Sequence, residues 1–163
     1  MMLIEPDKRG EDFAIPLTYS RDASDRFFVP DNVHVLGLMN TADRSLAMVD
    51  YALRRRFTFI RLEPAFQSDA FVEFLLEADA EQSMVERIVS RMSELNNAIR
   101  ADQKSLGQGF EIGHSFFCPQ DGDTDLDDDW YRRVIKGEIE PLLQEYWFDN
   151  QAKVAEMVGR LLA

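Results

Sequence analysis

Apolar positions along this chain change their period more than once, and the changes divide it. Phe13–Tyr19 (FAIPLTY) and Arg26–Val29 (RFFV) alternate and are rich in aromatic residues, which predicts two short strands in a hairpin-like excursion, with Pro16 at an edge. Pro30-Asp31-Asn32 reads as a turn, and Val33–Met39 is almost wholly apolar over the length of a strand. That is the pattern of a strand buried on both faces of a parallel sheet, where His34 has a structural role. From Ser45, read as an N-cap, the period lengthens. Leu46, Val49 and Leu53, with Met48 and Ala52 on the adjoining face, predict a helix that stops near Arg54–Arg56. Phe57–Leu62 (FTFIRL) is strand-like again. Strand, helix and strand in this order predict a right-handed crossover in a parallel α/β sheet. Such sheets collect ligands at the carboxyl ends of their strands, where Asn40, Thr41 and Asp43 fall.

After Glu63-Pro64 the pattern becomes helical. Ser68 is placed to cap a helix through Leu76, and Val85, Ile88, Val89, Met92, Leu95 and Ile99 form an i, i+3, i+4 stripe over Met84–Ile99, so two antiparallel helices are predicted. Gly107–Cys118 (GQGFEIGHSFFC) reads as an extended segment punctuated by glycine, and Asp121–Asp129 as an acidic loop. Trp130–Leu143 and Gln151–Leu162 predict two further helices, whose core takes Trp130, Tyr131, Tyr146, Trp147 and Phe148. The expected division is therefore residues 1–66, part of an α/β core, and residues 67–163, an all-helical subdomain. Met1–Ile4 reads as the last turn of a helix that starts upstream of this chain.

Composition sharpens this division. The net charge of −12 is uneven: Lys and Arg against Asp and Glu number 9 and 10 in residues 1–66, but 9 and 20 in residues 67–163. The second part would repel a polyanion, so any DNA in the biology is expected to be held by other domains. No long apolar run or signal peptide is present, which predicts a cytoplasmic location with no membrane partner. A single cysteine, Cys118, excludes an internal disulfide and a cysteine-built zinc site. Asp121, Asp123 and Asp125 mimic the start of a calcium loop, but Leu126 and Arg132 stand where glycine and glutamate are needed, so no metal site is expected. The spacing of Gly107, Gly109 and Gly113 does not make a dinucleotide loop either.

The chemistry concentrates in MNTADRS (Met39–Ser45) and in Arg54-Arg55-Arg56. A polar turn after a strand has ordinary capping uses. Three adjacent guanidinium groups, however, repel one another unless acidic or phosphate partners meet them. A phosphate at the boundary of a neighbouring subunit is one such partner.

Residues 33–62 as a whole, VHVLGLMNTADRSLAMVDYALRRRFTFIRL, resemble the signature region of the McrB family, the AAA+ GTPase subunits of modification-dependent, methylcytosine-directed (type IV) restriction systems. MMLIEP (Met1–Pro6) resembles the helix after that family's Walker B strand, and GFEIGHSFF its lid. The resemblance implies a partial AAA+, P-loop NTPase-like sheet followed by a helical lid. It makes Asn40 the sensor-1 residue, positioning the attacking water, with Thr41 beside it. It makes Arg55 the arginine finger reaching the next protomer's nucleotide, and Arg56 a second finger or an interface ion-pair partner. Asp43, Arg44 and Asp50 would support the subunit interface with these arginines, and His114 and Ser115 would lie in the lid near the nucleotide, although a hydrogen-bonded structural histidine is the simpler reading of His114.

The resemblance further implies GTP or ATP with magnesium in the full-length protein, a homo-oligomeric, hexamer-like ring, and a partner nuclease subunit of the McrC type. The chain contains no GxxxxGK[ST] loop and no apolar strand ending in Asp-Glu. It is therefore expected to be a C-terminal part, binding no nucleotide tightly and inactive as an NTPase alone. The alternative is a non-catalytic, AAA+-derived interaction and oligomerisation module; an unrelated metal-dependent enzyme is the weakest reading.

Overall fold

The structure is a computed structural model that describes residues 2–19, 22, 25–40, 51–120 and 125–163. It divides into two compact units, Met1–Ile60 and Arg61–Ala163.

In the first unit, single 3₁₀ turns at Met2–Ile4, Pro6–Lys8 and Glu11–Phe13 lead to a two-stranded antiparallel sheet, β1 (Ile15–Pro16) with β2 (Arg26–Phe27). The pairing is Ile15 with Phe27 and Pro16 with Arg26, so the expected excursion is present as a short hairpin. Gly10 turns the chain at φ 86°, a region open to glycine, and donates its N–H to the Val29 carbonyl at 2.9 Å. The neighbouring Arg9 guanidinium spans two segments, donating to the carbonyls of Ile4 (3.0 Å) and Val33 (2.6 Å). Helix α1 is described over Tyr51–Arg54. The predicted cap at Ser45 and the apolar positions Leu46, Met48 and Val49 lie outside the described residues.

Val33–Met39 and Phe57–Leu62 differ from their sequence reading. Among the described residues neither pairs in a ladder, and the only sheet is β1-β2. Leu36, Leu38, Ile60 and Leu62 are each more than 80% exposed, and His34 is exposed too. A strand of the buried, parallel kind is stable only with neighbours on both edges and helices on both faces. The two segments have the composition for such a sheet without those surroundings.

The second unit matches its pattern closely. Helix α2 (Asp69–Glu77) starts at Ser68, whose Oγ accepts the Phe71 N–H at 3.2 Å. It ends in a Schellman turn: Ala80 N–H donates to the Leu75 carbonyl and Asp79 N–H to that of Leu76, with Asp79 at φ 63°. Helix α3 (Gln82–Ala101) buries Val85, Ile88, Met92, Leu95 and Ile99, as the stripe requires. Helix α4 (Asp128–Val134) begins with Asp127 Oδ1 accepting from the N–H groups of Asp129 and Trp130, and continues through one π-helical stretch, Ile135–Ile139, into α5 (Glu140–Tyr146). The wider stretch has a local cause. Pro141 has no N–H for the Gly137 carbonyl, and Glu140 donates five residues back, to Ile135. Helix α6 (Gln151–Leu162) is capped by Asn150 and has the predicted bounds.

Gly107–Cys118 is not extended. It folds as two 3₁₀ turns, Gln108–Phe110 and His114–Phe117. The second delivers Phe117, wholly buried, between Phe66, Trp130 and Tyr131, with ring centroids 5.9 to 6.1 Å apart. Of the predicted aromatic core, Trp130, Tyr131 and Trp147 are buried and Tyr146 is partly so, whereas Phe148 is 76% exposed. The Tyr131 hydroxyl donates to the Leu161 carbonyl at 2.9 Å and joins α4 to α6; burial raises its pKa above the usual tyrosine range.

Candidate functional site

The residues singled out by sequence fall into three groups. Thr41, Asp43, Arg44 and Asp50 lie outside the described residues. Asn40, Arg55 and Arg56 belong to the first unit, and His114 and Ser115 to the second.

Of the three arginines at the end of α1, Arg54 and Arg55 are exposed and Arg56 is half-buried. The Arg56 guanidinium uses each of its nitrogens. Nε donates to Glu5 Oε1 at 2.6 Å, Nη2 pairs with the same oxygen at 2.5 Å, and Nη1 donates to the Ala52 carbonyl at 2.6 Å. The last bond satisfies one of the carbonyls that every helix leaves open at its C-terminus, where positive charge is favoured by the helix dipole. Glu5 supplies the acidic partner that adjacent arginines require. Sequence reasoning missed it, because nothing local in MMLIEP points to a residue so far along the chain.

Arg55 and Arg56 line an open cleft of about 510 Å³ with Glu5, Pro6, Asp7, Phe57 and Thr58. Of the two arginines at its wall, Arg56 is already engaged by Glu5 and the Ala52 carbonyl, and the carboxylates of Glu5 and Asp7 share the lining. Asn40 is exposed, as its whole segment is.

In the second unit, His114 is built into the fold. Its Nδ1 accepts the Ala65 N–H at 3.1 Å, and its ring meets Phe71 and Phe66 edge-on at centroid distances of 5.4 and 6.3 Å. With Nδ1 accepting, the proton of the neutral ring sits on Nε2. Ser115 is exposed and lines a separate open groove with Phe116, Cys118, Trp130, Arg133 and Glu138. Burial raises the Cys118 thiol pKa.

Two polar clusters hold the unit together, and sequence signalled neither. The Glu111 carboxylate is 2% exposed, accepts from Arg100 Nε at 2.6 Å, and lies 3.7 Å from Arg61, which itself donates to the Gln108 carbonyl at 2.9 Å. Asp102, at the end of α3, accepts from Lys153 Nζ at 2.8 Å and from the Trp147 indole N–H at 2.9 Å, while Lys153 also lies over the Trp147 ring. The hydrogen bond from Lys153, followed by that from Trp147, holds the Asp102 pKa below the usual carboxylate value against the opposing effect of burial.

This helical arrangement has a known counterpart. Residues 87–155 match the family described as McrB, alpha-helical lid domain. Over those residues the chain is similar to the McrB lid. Its likeness to McrB extends beyond that domain: it is 52% identical over 164 aligned residues to the type IV methyl-directed restriction enzyme EcoKMcrB subunit of Escherichia coli strain K12. That alignment covers 99% of this chain and 36% of the relative, whose C-terminal part it matches. The chain therefore spans about a third of the length of this McrB protein. No helix among the described residues is long and apolar enough to cross a membrane.

Proposed function

We propose that this chain is the C-terminal part of an AAA+ NTPase subunit in an McrB-type restriction system, and that it supplies sensor 1, a trans-acting arginine finger and the lid. The observation that carries this reading is the likeness to a methyl-directed restriction subunit over nearly the whole chain. In this reading Val33–Met39 and Phe57–Leu62 are strands of a parallel sheet completed by upstream residues, which accounts for their exposed apolar side chains. The phosphate loop and the magnesium site belong to those upstream residues too. Bound there, GTP or ATP with its metal supplies the phosphoryl group to be transferred.

Asn40 acts through its amide, which orients a water for attack. Arg55, exposed at the wall of the cleft, neutralises charge developing on the phosphoryl oxygens of a neighbouring protomer's nucleotide, in a ring whose work is passed to an McrC-type nuclease. A finger supplied in trans is worth on the order of 10³–10⁵ in rate. Arg56, tied to Glu5, is the structural member of the pair. His114 holds Ala65 rather than the nucleotide, and Thr41, Asp43, Arg44 and Asp50 support sensor 1 and the interface.

The test is NTP hydrolysis by the full-length subunit. Asn40→Ala and Arg55→Ala should nearly abolish turnover without unfolding the protein, and full activity in both would remove the assignment. A second reading, a non-catalytic docking module, is favoured by the exposed Leu36, Leu38, Ile60 and Leu62. It predicts stable association with a partner and no effect of either substitution on any hydrolysis.

A further inference from the structure

Resting on the reading of Arg55 as a trans finger, we infer that Glu5 is a positioning residue for it, acting through Arg56. A finger must leave its own protomer in a fixed direction, and a side chain at a helix end takes its point of departure from the backbone there. One carboxylate anchors this helix end. Glu5 Oε1 takes the Nε and Nη2 faces of Arg56, and Nη1 closes on the Ala52 carbonyl, so the guanidinium is fixed simultaneously to the helix end and to a segment 51 residues earlier. Arg55 and Arg56 share a peptide unit, and locking Arg56 sets the turn from which the Arg55 side chain departs.

Glu5 also offsets the charge next to Arg55, which reduces the repulsion that would otherwise swing the finger away. The glutamate is itself held. Its carbonyl accepts the Lys8 N–H at 3.0 Å, closing the Pro6–Lys8 turn, and Pro6 fixes the backbone directly after it. The pair is half-buried, with side-chain exposures of 24% for Arg56 and 27% for Glu5, so water and salt screen it less than a surface pair. Glu5 lines the same cleft as Arg55, and the proposed role is confined to orientation.

Kinetics of the full-length subunit with Glu5→Ala, Glu5→Gln and Arg55→Ala test this. Misplacing a catalytic group by about 1 Å costs on the order of 10²-fold. Glu5→Ala should therefore lower kcat about 10- to 100-fold with KM for the nucleotide unchanged, and Glu5→Gln, which keeps the acceptor but not the charge, should fall between it and the wild type. A glutamate with a purely structural part would lower the melting temperature and leave kcat per folded subunit intact. That result, with Arg55→Ala slow, overturns the role of Glu5 and leaves the finger standing. Full turnover in Arg55→Ala removes the finger and the role of Glu5 with it. If Glu5→Ala does not fold, Glu5→Gln decides alone, a wild-type kcat counting against the inference.

Discussion

Asn96 and Ile112 close a two-bond ring: Asn96 Nδ2 donates to the Ile112 carbonyl at 2.9 Å, and the Ile112 N–H donates to Asn96 Oδ1 at 2.8 Å. The amide stands in for the backbone of an adjacent strand. It is the buried polar side chain among the core residues of α3 and fixes the loop between the two 3₁₀ turns. Asn96→Leu leaves a buried N–H and a buried carbonyl without partners, each costing about 1–3 kcal/mol. Urea unfolding should show a loss of roughly 3 kcal/mol. A loss under 1 kcal/mol would mean that the loop finds other partners.

Asp102 makes stability depend on acid pH. Its folded pKa lies below the ordinary carboxylate value, because Lys153 and Trp147 bond the charged form. The unfolded chain therefore binds the proton first. The stabilisation is fully present above the unfolded carboxylate pKa, about 3.9, and is lost as the pH falls from there through the folded value. Asp102→Asn should cost about 2 kcal/mol at pH 7, the scale of hydrogen bonds to a charged group. Its melting temperature should also fall less than that of the wild type on acidification below about pH 4. Parallel melting curves for both proteins would contradict this assignment.

Asp79 ends α2 in the left-handed region at φ 63°, where a Cβ is unfavourable. Asp79→Gly should stabilise the protein by about 0.5–1 kcal/mol and Asp79→Val should destabilise it by more than 1 kcal/mol. Thermal melts of the three proteins check the order.

Cys118 is partly buried and its thiol is pushed upward by burial. Reactivity needs the thiolate, so iodoacetamide at pH 8 should modify it several-fold more slowly than a free thiol, and denaturant should remove the difference.

Where local signals decide the structure, sequence was sufficient. Ser68 before an apolar run marked the start of α2, the heptad-like spacing from Val85 to Ile99 marked α3, and Asn150 is followed by α6 with its predicted bounds. Partners distant in sequence escaped it. Gly107–Cys118 reads as an extended segment punctuated by glycine, but the side chain of Asn96 and the pocket around Phe117 determine its turns. Val33–Met39 and Phe57–Leu62 show the converse: their composition fits a buried strand, and a strand exists only through what lies beside it. In the candidate site, the arginine triplet advertised a need for acidic company, and only folding revealed that Glu5 provides it.

The π-helical stretch between α4 and α5 settles a problem of winding. Tyr131, Ile135, Ile139, Leu143 and Trp147 are all buried and recur every four residues. In an α-helix each such step overshoots a full turn by about 40°, so four steps would carry the seam some 160° around the rod. One additional residue in the coil takes back about 100° of that drift. Pro141 and the widened turn before it thus act as a phase correction. They allow a single long helix to keep one dry edge from Tyr131 to Trp147.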